Sequence, residues 1–341
     1  MSAPLRVGWY VHHHGHGHLH RALAVAEELH RGGAEVTVLS SREPTAHPAV
    51  ADWVELPRDD DGSPHDVTAG GVLHWVPRHH DGLLARSARI SAWLERHRPD
   101  VVVCDVSQEV ALLCRLHGVP VVSVVQAGER SDLPHRVGLA AADALVACWP
   151  PAAGRLVTGL PDDVADRVVA VGGLSRFPVR TDRRTAREGG VLVLGGSGGD
   201  AWTPGQVRAL AVAADRDVRV LGRERWDPRP QDALAAADVV VVQAGQNALA
   251  EVAAARVPAV VVAAERPFDE QRATAAALRL GPWPAVVLDR LEHDDWPTLL
   301  AEVAALDGER WSAWCDGDAA RRFAAVVRRV GLRGLVVDGV A

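Results

Sequence analysis

The chain has 341 residues, of which 48% are hydrophobic and 24% are charged, and its formal net charge is −7. This balance is typical of a globular protein with about two domains, and an acidic chain without a basic block has no electrostatic footprint for nucleic acid. All 37 basic residues are arginine. A Walker-type phosphate loop, which needs its lysine, is therefore excluded.

The first half of the sequence alternates short valine-rich runs with longer segments rich in alanine, leucine and arginine. Strands are predicted at residues 5–11, 34–40, 100–106, 119–125, 143–149 and 167–173. Helices are predicted at about 20–30, 83–97 and 108–118. Continuous apolar strands that are separated by helices indicate a parallel sheet buried on both faces.

The same pattern restarts after a polar, arginine-rich stretch. Strands are predicted at residues 189–195, 217–222, 238–245, 257–264 and 285–289, with helices at about 203–214 and 246–255. We therefore predict an α/β protein of two doubly wound, Rossmann-like domains that face each other across a cleft. The predicted domains are 1–174 and 190–341, joined by a linker at 175–189, and the last helix is free to pack back on the N-terminal domain. Ligands of such sheets bind at the carboxyl ends of the strands.

The cysteines and the apolar runs bear on the cellular compartment. Cys104, Cys114, Cys148 and Cys315 show no C-x-x-C spacing, so we expect small buried thiols in a reducing cytosol. No apolar run approaches the 18 residues of a membrane span, and the N-terminal residues lack the features of a signal peptide. We expect a cytoplasmic protein, and a peripheral contact with the inner face of the membrane stays open.

Six of the sixteen histidines lie in the stretch "HHHGHGHLH", from His12 to His20. An extended segment would align alternate imidazoles on one face, an arrangement that suits zinc or nickel. Gly15 and Gly17 instead favour a turn, and no cysteine or carboxylate cluster lies nearby in the sequence. We therefore expect neither a functional metal nor any other cofactor, and a histidine here suits proton transfer at neutral pH.

Two glycine-containing turns follow predicted strands of the second half. The motif "GGSGG", Gly195 to Gly199, is either a phosphate loop or a tight strand–helix turn, and it does not match G-x-G-x-x-G. Gln243 to Asn247 form a polar turn before a helix. Glu251 in that helix either binds a ribose diol or is an ordinary solvated glutamate.

Three further strand ends carry polar residues. Glu270 and Gln271 begin a helix after the strand at 257–264, either as ligands or as an ordinary helix start. Asp105 ends the run "VVVCD" and could orient a histidine, bind an acceptor or cap the next helix. Gln126 and Arg130 follow the strand "VVSVV" and are candidates for the acceptor side.

These motifs together resemble the GT-B glycosyltransferases of family 28. The C-terminal block, with Gly195–Gly199, Gly245, Asn247, Glu251 and Gln271, resembles that family's nucleotide-sugar half. The stretch "GHGHLHRALAVAEEL" resembles its first loop, in which a glycine-rich turn ends in a histidine. The resemblance spans most of the chain, although residues 45–95 carry no match.

The resemblance implies transfer of a hexose or N-acetylhexosamine from a nucleotide-diphosphate sugar, a UDP-sugar first, to an acceptor hydroxyl. It implies inversion, and no metal is expected to be required because helix N-termini and glycine-loop amides can hold the diphosphate. It leaves the acceptor open among a lipid-linked sugar, a cell-wall polymer and a natural-product hydroxyl. A sugar-nucleotide epimerase of the same fold and a catalytically inactive nucleotide-binding protein are the alternatives.

Carried over by position, the resemblance assigns roles. His18 matches the loop histidine, as base or phosphate contact, with His16 as second candidate and Asp105 beside them. Glu251 matches the ribose-binding acid. The predicted donor-binding residues are Gly195, Gly196, Ser197, Gly198, Gly199, Arg223, Trp226, Gln243, Gly245, Gln246, Asn247, Glu251, Glu270 and Gln271. Two departures stand out: Ala248 replaces a common threonine, and Trp226 either flanks the base or covers the core edge.

Overall fold

The computed structural model describes residues 3–181, 190–195, 202–222, 227 and 229–337. The first half contains α-helices α1 to α5, at Gly17–Arg31, Asp81–His97, Gln108–Leu116, Leu133–Ala141 and Asp162–Ala165. It contains strands β1 to β9, at Arg6–Tyr10, Glu35–Ser40, Asp52–Glu55, Val101–Asp105, Val121–Val125, Gly128–Glu129, Ala144–Ala147, Val157–Thr158 and Val168–Ala170.

The second half is built in the same way. Its strands β10 to β14 lie at Val191–Leu194, Val218–Leu221, Val239–Gln243, Ala259–Val262 and Ala285–Leu288. Its helices α6 to α11 lie at Pro204–Ala213, Pro230–Ala236, Gln246–Ala254, Glu270–Leu280, Trp296–Ala304 and Ala319–Val337. Short 3₁₀ helices lie at Pro151–Ala153, Pro267–Asp269 and Gly308–Ala313.

Two parallel sheets form the frame, as the apolar strands predict. The first has seven strands in the order β3-β2-β1-β4-β5-β7-β9, and the second has five in the order β11-β10-β12-β13-β14. The strands β4, β5, β10, β12 and β13 are buried along their whole length, because helices cover both faces of each sheet. The predicted α/β class with two Rossmann-like sheets is confirmed.

The strand order fixes where a ligand site can form. In the first sheet the connections from β1 and β4 lead to opposite sides, so a crevice opens between their carboxyl ends, and β10 and β12 form the equivalent crevice in the second. The first crevice receives the histidine stretch and Asp105, which is the last residue of β4. The second receives Gly195 and the turn that begins at Gln243.

The last helix, α11, packs against α1 of the first half. The ring centroid of Phe323 lies 5.3 Å from that of Trp9 in β1. The Arg328 guanidinium donates hydrogen bonds to the carbonyl oxygens of Glu28 and Leu29, in the last turn of α1, at 2.9 and 3.0 Å. The C-terminal helix thus packs on the N-terminal half of the chain, as the sequence allowed. The exact domain boundaries stay a prediction.

Several details differ from the sequence-based expectations, since β3, β6, β8, α4, α5, α7 and α10 have no predicted counterpart. Helix α1 begins at Gly17 rather than near His20, so His18 lies in its first turn instead of before it. Strand β3, at Asp52–Glu55, was not predicted because it is a short edge strand with exposed or half-exposed residues and no apolar run. All four cysteines are free and buried, as expected. Within the described ranges, no helix has the length and apolar character needed to span a bilayer.

Candidate active site

A cavity of about 870 Å³ lies between the carboxyl ends of the two sheets. This volume is within the range of small-molecule sites in proteins. The predicted residues that line it are His16, His18, Gln126, Gly195, Gln243, Gly245, Gln246, Asn247, Glu251, Glu270 and Gln271. The folding of the chain therefore brings together residues that are up to 255 positions apart in one concave site.

His18 and Asp105 form a hydrogen-bonded pair at the floor of this cavity. His18 Nδ1 lies 3.0 Å from Asp105 Oδ1. The Asp105 side chain is fully buried, whereas 19% of the His18 side chain is exposed. Because the carboxylate engages Nδ1, the Nε2 atom is the ring nitrogen left for a ligand. Asp105 therefore contacts His18, and the residue that caps α3 is Ser107 rather than Asp105.

Arg21, three residues after His18 on the same helix, balances the charge of Asp105. Its Nε atom lies 3.4 Å from Asp105 Oδ2, and Nη1 donates to Gln246 Oε1 at 3.2 Å. Burial by itself would raise the pKa of Asp105, but Arg21 and His18 outweigh it and hold that pKa below its ordinary value. The carboxylate is thus ionised beside the imidazole, and one buried guanidinium joins it to the opposite half of the cleft.

The other histidines of the stretch have different surroundings. His12 packs beside His18 with ring centroids 5.8 Å apart, and its pKa is lowered to about 3, mainly by burial and secondarily by His18. His16 is the N-cap residue of α1, and its Nδ1 accepts a hydrogen bond from Arg42 at 3.2 Å. Burial and the nearby Arg42 lower the pKa of His16. The pair with a buried carboxylate therefore distinguishes His18 from His16.

The N-terminus of α8 faces the histidines across the cavity. Gln246, Asn247 and Ala248 form its first turn and all line the cavity. First-turn N–H groups have no partner within the helix, and with the helix dipole they bind anions. Gly17 lies so close that a Cβ atom added to it would be 1.9 Å from Asn247 Nδ2. The absence of a side chain at Gly17 thus allows the two halves to pack closely. Gly15, with φ of 67°, adopts the left-handed conformation that the turn requires.

Glu251 points into the same cavity but is paired with an arginine that the motifs did not indicate. Its Oε1 accepts a hydrogen bond from Arg176 Nε at 2.8 Å, and the Glu251 side chain is only 10% exposed. Burial raises the pKa of Glu251, and Arg176 partly opposes that shift. Arg176 Nη1 also lies 3.4 Å from His20 Nε2. This arginine therefore bridges α1 and α8.

The remaining described residues that were predicted to bind the donor form a polar wall at the ends of β12 and β13. Gln271 Oε1 accepts from the Ala264 backbone N–H at 2.9 Å, and Gln243 Oε1 accepts from Arg266 at 3.4 Å. Burial raises the pKa of Glu270, against the attraction of Arg130 and other arginines. The wall thus presents to the cavity the side-chain amides of Gln243 and Gln271 and the largely buried carboxyl group of Glu270.

The other predicted positions fall into two groups. Gly196, Ser197, Gly198, Gly199, Arg223 and Trp226 lie outside the described residues. Gln126 lines the cavity, but Arg130 does not. The Arg130 guanidinium is buried and donates to the carbonyl oxygens of Glu129 and Ala127. In the described part of the histidine stretch, the ligand-type atoms that lie within 4.8 Å of one another in a group of three are those of His13 and His14, together with Asp60.

The cavity also contains residues that sequence reasoning missed. Arg21, Arg176 and Arg266 bring guanidinium groups to its lining. The i,i+3 spacing of His18 and Arg21 on a helix was a usable signal, because such residues share a face. Arg176 lies in the predicted linker, where no local pattern points to Glu251, which is 75 residues away.

Two facing Rossmann-like sheets with this cleft have the architecture of the GT-B fold, and the similarity to known proteins identifies the chain as a glycosyltransferase that uses a nucleotide-sugar donor. The chain is 31% identical, over 288 residues, to the UDP-N-acetylglucosamine–N-acetylmuramyl-(pentapeptide) pyrophosphoryl-undecaprenol N-acetylglucosamine transferase of Halorhodospira halophila. That alignment covers 70% of this chain and 72% of the relative. The chain belongs to glycosyltransferase family 28.

Solved structures agree on the fold. The glycosyltransferase of kitacinnamycin superposes with a TM-score of 0.67 at 20% identity, covering 97% of this chain and all of the other. MurG of Acinetobacter baumannii superposes with a TM-score of 0.62 at 17% identity, covering 96% of this chain and all of the other. No protein-family model matches the chain.

Proposed function

We propose that this protein moves a hexose or N-acetylhexosamine from a nucleotide-diphosphate sugar to an acceptor hydroxyl, with inversion and without a metal. UDP is the first nucleotide to test, since the curated relative uses a UDP-sugar. The single observation that supports the proposal best is the His18–Asp105 pair, which opens onto the same cavity as the α8 N-terminus. A base and an anion site thus face each other across one ligand-sized space.

In the proposed step, His18 Nε2 accepts the proton of the acceptor hydroxyl. The acceptor oxygen forms a bond to the anomeric carbon as the bond from that carbon to the diphosphate oxygen breaks. One displacement of this kind inverts the anomeric centre. Asp105, 3.0 Å from Nδ1, stabilises the imidazolium that forms. The imidazolium then releases its proton to solvent, and the nucleoside diphosphate leaves with the bonding electron pair.

The charge of the leaving diphosphate needs a positive environment. The α8 N-terminus supplies free N–H groups, and Arg21, Arg176 and Arg266 add guanidinium groups to the same cavity. These groups stabilise the negative charge of the diphosphate, which a bound divalent cation does in metal-dependent transferases. This supports metal-independent transfer.

The donor and acceptor occupy opposite sides of the cavity in this proposal. Glu251 binds the ribose hydroxyls once Arg176 gives up its hydrogen bond, and Gln271 with Glu270 binds the sugar hydroxyls. Gln126 faces the acceptor, and its Oε1 has no hydrogen-bond partner within the described part of the chain. The acceptor classes are a lipid-linked sugar, a cell-wall polymer and a natural-product hydroxyl. A peripheral membrane contact and a cytoplasmic location stay predictions.

The test combines donor binding with turnover. The wild type is screened by thermal shift against UDP-, dTDP- and GDP-sugars, because a specific ligand raises the melting temperature by mass action. Hits are assayed against the three acceptor classes with and without EDTA, and the anomeric configuration of the product is read by NMR. We expect transfer with inversion that EDTA does not reduce.

The variant His18→Ala should keep donor binding and lose about 10²- to 10⁴-fold in kcat, the usual contribution of a general base. His30→Ala, on the exposed end of the same helix, is the matched control. Isomerisation of the donor without acceptor would instead indicate an epimerase. Tight donor binding without turnover on any acceptor would indicate a binding protein.

A further inference from the structure

A second cluster of titratable side chains lies on the N-terminal half, outside the cavity described above. His74 Nε2 and His135 Nδ1 each lie 2.5 Å from a different oxygen of Asp132. One ligand-type atom from each of the three residues falls within 4.8 Å of the others. Asp132 is the N-cap residue of α4 and His135 is in its first turn, whereas His74 comes from the long connection between β3 and α2.

These three side chains have the chemistry of a zinc-class site. Two imidazole nitrogens and one carboxylate oxygen are three protein ligands of the kind that leave a fourth tetrahedral position open. The side chains of His74 and Asp132 are 27% and 33% exposed, whereas that of His135 is 10% exposed. The cluster is therefore buried on the side of His135, whereas solvent, and with it a cation and a water molecule, can reach it on the side of His74 and Asp132.

The neighbouring groups support a cation here. The His74 backbone N–H donates to Glu109 Oε1 at 2.7 Å, so a second carboxylate holds the ligand-bearing loop in place. Groups of this kind, just outside the ligands, orient metal sites in other proteins. Asp132 and Glu109 bring two negative charges to this region, and the buried Arg130 guanidinium brings one positive charge.

Within the described residues, a second group of three possible metal ligands consists of His13, His14 and Asp60. It differs from the first group because an arginine already binds its carboxylate. Arg58 donates two hydrogen bonds to the Asp60 carboxylate, at 2.9 and 2.7 Å. A metal there would have to displace a guanidinium. Among the described residues, the ion pairs of Asp132 are those with His74 and His135, and the buried Arg130 acts on this carboxylate only through longer-range electrostatics.

The cluster also touches the donor half of the protein. The ring of Phe268 lies 5.6 Å from that of His74 and 4.8 Å from that of His135, measured between centroids. Phe268 has a left-handed backbone, with φ of 63°, and precedes Glu270 in the cavity wall by two residues. A cation that fixes the His74 loop to α4 would therefore also fix the surface against which this segment packs.

We propose that His74, Asp132 and His135 bind one Zn²⁺ ion, with water in the fourth position, as a structural clamp between the β3–α2 connection and α4. The site is separate from the transfer step and does not depend on the proposed reaction. It takes a divalent cation that prefers mixed nitrogen and oxygen ligands.

The test uses the full chain without a polyhistidine tag, stripped of metal by a chelator. Co²⁺ is titrated in as a spectroscopic probe, and Zn²⁺ is then added to displace it. We expect one equivalent of Co²⁺ with the intense visible absorption of a tetrahedral site, and full displacement by Zn²⁺. Zn²⁺ should also raise the melting temperature of the stripped protein.

The variants separate this site from other histidines. His74→Ala/His135→Ala and the shape-preserving Asp132→Asn should lose the tetrahedral absorption, and Glu109→Gln should weaken binding about 10- to 100-fold. The control His13→Gln/His14→Gln removes two histidines elsewhere and should bind like the wild type. Circular dichroism confirms that each variant is folded. Loss of binding in the control, retention in Asp132→Asn, or weak binding without tetrahedral absorption would each overturn the proposal.

Discussion

The substitution Asp105→Asn isolates the charge of the carboxylate behind His18. Asparagine has nearly the same shape, so its oxygen can still lie 3.0 Å from His18 Nδ1. What disappears is the negative charge that stabilises an imidazolium. The substitution also leaves the guanidinium of Arg21, a residue that is 2% exposed, without the carboxylate that neutralises its charge. The variant should therefore affect both the reaction rate and the stability of the fold.

The two effects have different sizes. A hydrogen bond to a charged group contributes about 1.5–3 kcal/mol, and about 1.4 kcal/mol of barrier changes a rate tenfold. The kcat of Asp105→Asn should therefore fall about 10- to 100-fold. Breaking a buried ion pair by removing one partner costs about 3–5 kcal/mol of unfolding free energy. The bond from Arg21 to Gln246 remains, so we expect the lower end of that range.

The assay is steady-state transfer at saturating donor, together with urea unfolding of the same preparations. The double variant Asp105→Asn/Arg21→Gln removes both buried charges. It should recover much of the lost stability without recovering kcat, because the imidazolium still lacks its carboxylate. A wild-type kcat in Asp105→Asn, or recovery of kcat in the double variant, would refute the role given to the His18–Asp105 pair.

Three further outcomes are expected. Glu251→Gln should weaken donor binding about tenfold in calorimetry, because an amide replaces a charged hydrogen-bond acceptor for the ribose. Gly17→Ala should also weaken donor binding, since its Cβ would lie 1.9 Å from Asn247 Nδ2. For His20, burial and Arg176 lower the pKa to about 4 in the folded chain, from 6.5 in the unfolded chain. Between these values only the unfolded chain holds the proton, so unfolding free energy should fall as pH falls from about 6.5 to 4, by up to about 1.4 kcal/mol per pH unit.

Each of these has a matched comparison. Glu302→Gln, on the exposed face of α10, should leave donor binding unchanged. Gly205→Ala meets nothing closer than 3.7 Å and serves as the glycine control. The slope of unfolding free energy against pH should be smaller in His20→Gln and unchanged in His30→Gln, and equal slopes in both would contradict the explanation. Unaltered donor affinity in Gly17→Ala would mean that the loop can move away from α8.

The sequence determined the fold class because its signals are local. Uninterrupted valine runs such as Val101–Val103 and Val239–Val242 can be satisfied only by strands covered on both faces, and the helical segments between them require parallel pairing. Sequence position also put Glu251, Gln271 and His18 after the carboxyl ends of strands, where such sheets bind ligands. The strand β3 escaped notice because an exposed edge strand has no apolar run.

Which polar groups contact one another depends on the tertiary structure. Strand order, not spacing, places Asp105 beside His18 and leaves His16 with Arg42. The packing of the two halves brings Arg176 onto Glu251 and Gly17 against Asn247. In the same way, His74 reaches Asp132 across 58 residues. Hydrogen bonds and ion pairs act over a few ångströms between groups that are distant in the chain, so periodicity and local propensity contain no record of them.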